Sequence, residues 1–210
     1  MADTAPPPVT LAFDTSGPQV AAALLAGDGP ALARVEEMAR GQAERLVPLL
    51  EELLAEAGAQ WRDIGVIGVG TGPGNFTGIR ISVACARGLS MALGIPAVGV
   101  DAFAAIRGVH APPRPGWVAI PAPRGQIYLQ RADASGPGAP EIAAEARLAG
   151  LDAPLLYQQD VPATRRIGNV ARLARLQAPG AGAPRSRPAP LYLRPADAAP
   201  PRDAPPPILP

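Results

Sequence analysis

Three features of the sequence predict an α/β fold in two lobes. The chain opens with three strand-like apolar segments separated by turn residues, which predicts a β-meander: 9–14, 20–25 and 31–38. A parallel strand–helix–strand unit follows at 64–69, 76–93 and 97–100. A proline-rich loop then interrupts the pattern, so we expect a first lobe at 1–107, a second lobe at 108–195 and a proline-rich tail at 196–210.

The other elements are predicted from periodicity. Leucines at helical spacing indicate a helix over 42–57, with an apolar arc wider than contact with one sheet requires. Asp101 is expected to cap a short helix that runs through Ile106. In the second lobe the expected elements are strands at 117–120, 126–132 and 165–167 and a helix at 169–177.

The composition narrows the possible chemistry. There is no lysine among the 210 residues, and Cys85 and His110 are the only residues of their types. This excludes a P-loop lysine, a Schiff base, an intrachain disulfide and a metal site built on paired histidines. A formal net charge of +1 gives no sign of a strongly basic surface, so another protein should carry most contacts with any RNA. With no recognisable signal sequence or membrane-spanning run, we expect a cytoplasmic protein without a membrane partner.

The most distinctive segment is Gly70-Thr71-Gly72-Pro73-Gly74-Asn75-Phe76-Thr77-Gly78, which joins a predicted strand to a predicted helix. Backbone N–H groups converge at such a helix start, where the helix dipole favours an anion. The spacing fits neither a Walker A loop nor a dinucleotide-binding glycine motif. The residue chemistry favours a second interpretation, a tight glycine turn with Asn75 as the helix cap. The residues that could bind an anion or a nucleotide are Asp14, Thr15, Gly72, Gly74, Asn75, Thr77 and Gly78.

Several polar residues have simpler structural interpretations. Asp14 can close an Asx turn with its own backbone, and this is favoured over a phosphate-site acid. Cys85, between alanines, is expected to be a small packing residue of the second helix. The pair Arg165-Arg166 is interpreted as solvated surface, with weak help in binding a nucleic acid as the minor alternative.

The second helix, 76–93, is apolar on more than one face. One face suffices to dock on a sheet, and a further face of small residues suits close contact with another helix. The two long helices either pack on each other within the monomer or present an exposed patch to a partner. The candidate partner interface comprises Leu46, Leu49, Leu50, Leu53, Arg80, Ile81, Ala84, Cys85, Arg87, Gly88 and Ala92.

Three motifs together resemble the bacterial TsaB family, also known as YeaZ. They are Phe13-Asp14-Thr15 after the first strand, the run from Gly72 to Arg80, and Pro190-Leu191-Tyr192-Leu193-Arg194 near the end of the chain. The middle motif is the most specific, whereas residues from about 108 to 185 match only loosely. The resemblance implies an actin/hexokinase/Hsp70-like (ribonuclease H-like) fold with a reduced second lobe.

The resemblance also implies a function. TsaB-like proteins are non-catalytic partners of TsaD, acting with TsaE to form threonylcarbamoyladenosine beside the tRNA anticodon. It implies pairing through the first-lobe helices, with TsaD or as a homodimer, and use of ATP and Mg²⁺ by the complex, with no cofactor assigned to this chain. The tRNA would be contacted mainly through the complex.

Three positions depart from the family pattern. Asn75 stands where serine is usual, Gln42 where many members have histidine, and Pro121 where an aspartate is usual.

Two other functions are also considered for this chain. One is a stand-alone ATPase or small-molecule kinase on the same fold, which would need a positioned base and further phosphate donors. The other is a peptidase, for which a single histidine gives little chemical support.

Overall fold

The computed structural model describes residues 7–109, 115–179 and 187–194. Its first elements are β1 (Val9–Asp14), β2 (Gln19–Leu25), β3 (Leu32–Glu37), α1 (Gln42–Glu56), β4 (Ile64–Gly70), α2 (Phe76–Leu93), β5 (Ala97–Val100) and α3 (Ala102–Arg107). They are followed by β6 (Gly116–Ala122), β7 (Gln126–Asp133), β8 (Gly136–Pro137), β9 (Glu141–Ala144), β10 (Leu155–Tyr157) and α4 (Ala163–Gln177). The meander and the strand–helix–strand unit therefore lie where the sequence predicts them.

The first sheet has five strands in the order β3-β2-β1-β4-β5, with β1 at its centre. The meander pairs antiparallel, whereas β4 and β5 extend the sheet in parallel from the other side of β1. Parallel strands need a long crossover connection, and here α2 provides it by crossing one face of the sheet between β4 and β5. The carboxyl end of β1 therefore lies beside the start of α2.

The two faces of this sheet differ in side-chain size. Leu11 and Phe13 of β1 enter one core, where the leucines of α1 and the inner face of α2 pack against them. The opposite face is rich in alanine, and α4 covers it. A Cβ placed at Gly68 would lie 2.8 Å from the Cβ of Ala174, so small residues allow the α4 backbone close to the sheet.

Helix α4 differs from the prediction in two respects. It begins at Ala163, so the short strand expected at 165–167 is wrong: these residues form its first turns. It also packs against β1, β2 and β4, although it belongs to the stretch 108–195 that was expected to form the second lobe. Its inner residues Ile167, Val170 and Ala174 are buried against the alanines of the first sheet.

The second sheet follows the order β10-β6-β7-β8, and β9 also pairs with β7. Val118, Ile120 and Tyr128 pack on one face with Phe103 and Ile106 of α3, which joins the two cores. The other face is covered by its own segment, 145–151. The strands β6 and β7 were predicted, whereas the short β8, β9 and β10 were not.

Some expectations fall on residues without a described structure. His110, most of the proline-rich loop and the tail at 196–210 lie outside the described residues. Among the helices that are described, none combines the length and the apolar character that crossing a bilayer requires.

Helix α1 corrects part of the expected partner interface. Leu46, Leu49, Leu50 and Leu53 are 0–1% exposed, because they pack on the first sheet beside α2. The wide apolar arc is therefore core, and these leucines offer no surface to a partner. On the outer side of α1, Val47 is 40% exposed.

This assignment predicts contrasting effects of two truncations on α1. Leu50→Ala should lower the free energy of unfolding by about 2–5 kcal/mol, because it opens a cavity in the core. Val47→Ala on the same helix should change it by less than about 0.5 kcal/mol, as for other surface positions. Urea unfolding followed by circular dichroism measures both. Equal effects would contradict the core assignment of Leu50.

Candidate functional site

The turn after β1 and the glycine segment are in direct contact. The Thr15 hydroxyl donates a hydrogen bond of 2.6 Å to the Gly78 carbonyl, and the Asn75 N–H donates one of 2.7 Å to the Ser16 carbonyl. A Cβ at Gly78 would lie 1.9 Å from the Thr15 carbonyl oxygen, and a Cβ at Gly74 would lie 2.5 Å from that of Ser16. Glycine is required at these two positions because backbone meets backbone without space for a side chain.

Asn75 caps α2, as one of the two interpretations predicts. Its side-chain oxygen accepts a hydrogen bond of 2.9 Å from the Gly78 N–H, and its carbonyl accepts one from the Ile79 N–H. The N–H groups of Asn75, Gly78 and Ile79 are therefore all used within the chain. These bonds are the ones that the structural interpretation of the segment, a tight turn with a capped helix, requires.

The other residues of the predicted anion site are dispersed. Thr77 is exposed on the first turn of α2. The Gly72 carbonyl accepts a hydrogen bond of 2.7 Å from the Ala102 N–H and so joins the segment to α3. Gln42, one of the departures from the family pattern, donates to the carbonyls of Gly17 and Gln19 at 2.7 and 3.2 Å. That side chain fixes the turn between β1 and β2.

Asp14 closes the expected Asx turn, since its Oδ1 accepts a 2.7 Å hydrogen bond from the Ser16 N–H. Burial raises the pKa of its carboxyl group above the usual range, against the opposing effects of the Ser16 bonds and of Arg166.

Both Asp14 and Arg166 line a cavity of about 60 Å³. A nucleotide is several times larger than this space. In the described part of the chain, no three His, Cys, Asp or Glu residues group to hold a metal ion.

Arg166 is not the solvated surface residue that the sequence suggested. It is half-buried and donates to the carbonyl oxygens of Gln158, at 2.9 Å, and of Val161. Its neighbour Arg165 is exposed as expected. The useful signal was the spacing of Arg166 and Val170, which places both on the inner face of a helix once a helix is assumed there.

The segment 187–194 returns to the first lobe and contacts α2. The Leu191 N–H donates to the Thr71 carbonyl at 2.8 Å, and Arg87 Nε donates to the Pro188 carbonyl at 2.8 Å. Arg80 lies 3.8 Å above the centre of the Phe76 ring and donates to the Tyr192 hydroxyl at 3.0 Å. Two of the motifs that carry the family resemblance are therefore packed on each other, a role for Tyr192 that the sequence analysis did not foresee.

The outer surface of α2 contains most of the remaining interface candidates. The exposed residues after the first turn of α2 are Arg80, Ala84, Arg87, Gly88, Met91 and Ala92. Ile81 and Cys85 are partly buried against the core, and burial raises the pKa of the Cys85 thiol. Met91, which was not among the candidates, is 85% exposed. We call these six exposed residues the α2 outer stripe.

The contact between the β1 turn and α2 predicts opposite effects of alanine at two glycines of one helix. Gly78→Ala should destabilise the fold by about 1–3 kcal/mol or more, because the new methyl group overlaps the Thr15 carbonyl. Gly88→Ala should stabilise it by up to about 1 kcal/mol, because alanine favours a helix and nothing lies within 4 Å of the new atom. Thermal and urea unfolding would measure both. A Gly78→Ala protein as stable as the wild type would refute the close contact.

Comparison with known proteins agrees with this geometry. A family model described as TsaD, tRNA N6-adenosine threonylcarbamoyltransferase, matches residues 36–180, more than half of the chain. The tRNA threonylcarbamoyladenosine biosynthesis protein TsaB of Escherichia coli is 36% identical over 91 residues, which is 43% of this chain and 39% of that protein. An uncharacterized protein of Mycobacterium tuberculosis is 41% identical over 100 residues, 47% of each chain. The chain thus matches less than half the length of these two relatives.

A solved structure covers more of the chain. A Pseudomonas aeruginosa protein described as similar to peptidase YeaZ superposes with a TM-score of 0.68 at 25% identity, over 89% of this chain and 100% of that one. The likeness confirms the predicted α/β fold. With the family model and the TsaB relatives, it leads to one conclusion: the chain belongs to the TsaD family, in its TsaB (YeaZ) branch.

Proposed function

We propose that this chain is a non-catalytic partner of TsaD that acts with TsaE in forming threonylcarbamoyladenosine beside the tRNA anticodon, in the cytoplasm. The observation that carries the proposal is the α2 outer stripe, a helix face that the described residues leave exposed beside two motifs of the family. The name of the E. coli relative, a biosynthesis protein for the same modified nucleoside, supports the same pathway.

The α2 outer stripe suits close contact with a helix of TsaD. Ala84, Gly88 and Ala92 are small, so a partner backbone can approach, and Met91 offers a flexible apolar side chain. Arg80 and Arg87 at the edges are held in place by Tyr192 and Pro188. Arginine and tyrosine are enriched among residues that dominate binding energy, and ordering them beforehand lowers the entropy cost of association.

The cavity beside Asp14 favours a non-catalytic role for this chain over a stand-alone ATPase or kinase. Its cavity of about 60 Å³ is small for a nucleotide, and the N–H groups of Asn75 and Gly78 are used within the chain. We therefore assign the use of ATP and Mg²⁺ to the complex. With a net charge of +1, the chain should contact tRNA mainly through its partners.

The function is tested by reconstitution. We expect tRNA, ATP, threonine and bicarbonate, incubated with the synthase, TsaD and TsaE, to give threonylcarbamoyladenosine only when this chain is added. Nucleoside analysis by mass spectrometry measures the product, and omission of TsaD is the control. Equal product without this chain would reject the proposal, and robust ATP hydrolysis by the pure chain would favour the stand-alone enzyme.

The proposed surface is tested separately with charge insertions on α2. Ala84→Arg and Gly88→Arg should weaken TsaD binding at least about tenfold, or about 1.4 kcal/mol, because a large cation replaces a small residue at the contact. Both sites are exposed, so the monomers should keep their stability. The matched control is Leu176→Arg on α4, 72% exposed on the opposite side of the sheet.

Calorimetry with purified TsaD and size-exclusion chromatography of the chain alone separate the outcomes. Loss of TsaD binding in the α2 variants but not in Leu176→Arg supports the surface. If the α2 variants bind TsaD with unchanged affinity, the stripe is not the contact. A wild-type homodimer that both α2 variants convert to monomers would show that the same face also pairs two copies.

A further inference from the structure

The cavity beside Asp14 has polar walls that the proposed pairing with TsaD does not use. It lies between the turn after β1, helix α3 and the first turns of α4. Its volume is about 60 Å³, and since an enclosed water needs about 10–15 Å³, it has room for about four to six waters. That is the space of a free amino acid with a short side chain.

One wall of the cavity is positive. Helix α4 starts at Ala163 with no side-chain cap and with no acidic residue in its first turn, so its dipole is not neutralised. Arg166, one turn into the helix, also lines the cavity. The carbonyl bonds to Gln158 and Val161 are made by its Nη1, which leaves Nε and Nη2 as donors. A carboxylate is the group that these donors and the helix start would bind.

The opposite wall carries the Asp14 carboxyl group. This group is half-buried, and among the described residues it accepts hydrogen bonds only from Ser16. Arg166 acts on it at longer range without a direct ion pair. Asp14 and Arg166 both line this cavity, so the two side chains border the same space.

We propose that this cavity binds a small zwitterion of the free α-amino acid class. Its carboxylate would lie at Arg166 and the start of α4, and its ammonium group at Asp14. A metal cation would meet one carboxylate and be repelled by Arg166, whereas a phosphate would be repelled by Asp14. Only a ligand with both charges satisfies both walls. Ala102 and Ala105 of α3 provide an apolar surface for a short side chain.

The binding test uses the full chain and calorimetry. L-alanine, L-serine and L-threonine are titrated at millimolar concentration, with ethylamine and propionate as analogues that each carry one charged group of alanine. Saturable binding of at least one amino acid, under conditions where neither analogue binds, is the expected result. Equal binding of an amino acid and a single-charge analogue, or no binding of any amino acid, would overturn the proposal.

Variants locate the site. Asp14→Asn keeps the volume and an acceptor for the Ser16 N–H, and it should weaken binding about tenfold or more through loss of one charge-assisted contact. Arg166→Gln should do the same, and Arg165→Gln at the exposed neighbour should bind like the wild type. If Arg166→Gln does not fold, wild-type NMR decides: the amides of Ala163 and Thr164 should shift with the amino acid. Unchanged affinity of Asp14→Asn, or unshifted amides, would contradict the assignment.

Discussion

The approach of the β1 turn to the first turn of α2 is the constraint on which the rest of the molecule depends. Two backbones meet there without space for a side chain at Gly78, and the Thr15 hydroxyl joins them. This contact fixes where α2 begins and therefore which of its residues face the sheet. The same turn forms one wall of the Asp14 cavity, so the helix surface and the cavity share one support.

The unequal faces of the first sheet decide which helices cover it. Large side chains such as Phe13 fill the distance to α1 and α2, whereas Ala12 and Gly68 on the other face allow α4 to lie close. Protein interiors pack at nearly constant density, so the size of the side chains on each face sets the distance between that face and the helix that covers it. Arg166 reaches the end of β1 because α4 lies on the alanine face.

The sequence predicts well what is local and periodic. The strands of the meander, helices α1 and α2 and the Asn75 cap depend on neighbouring residues, and all lie where expected. The short strands β9 and β10 escaped prediction because they form only by pairing with β7 and β6. The sequence predicts a partner surface for the leucines of α1, whereas the structure places them in the core. Apolar residues at helical spacing predict burial, but they do not show whether the chain's own core or a partner buries them. A pair of arginines predicts a solvated surface, whereas the position of Arg166 on α4 brings its side chain to the inner face of the helix.

The packing of α4 has a consequence for how the protein is made. A ribosome releases the chain from its first residue, so the five strands of the first sheet emerge well before Ala163. Until then the alanine face of that sheet has no cover. The contacts of Leu191 with Thr71 and of Tyr192 with Arg80 come later still. The first sheet is thus covered on both faces only after nearly the whole described chain has been synthesised.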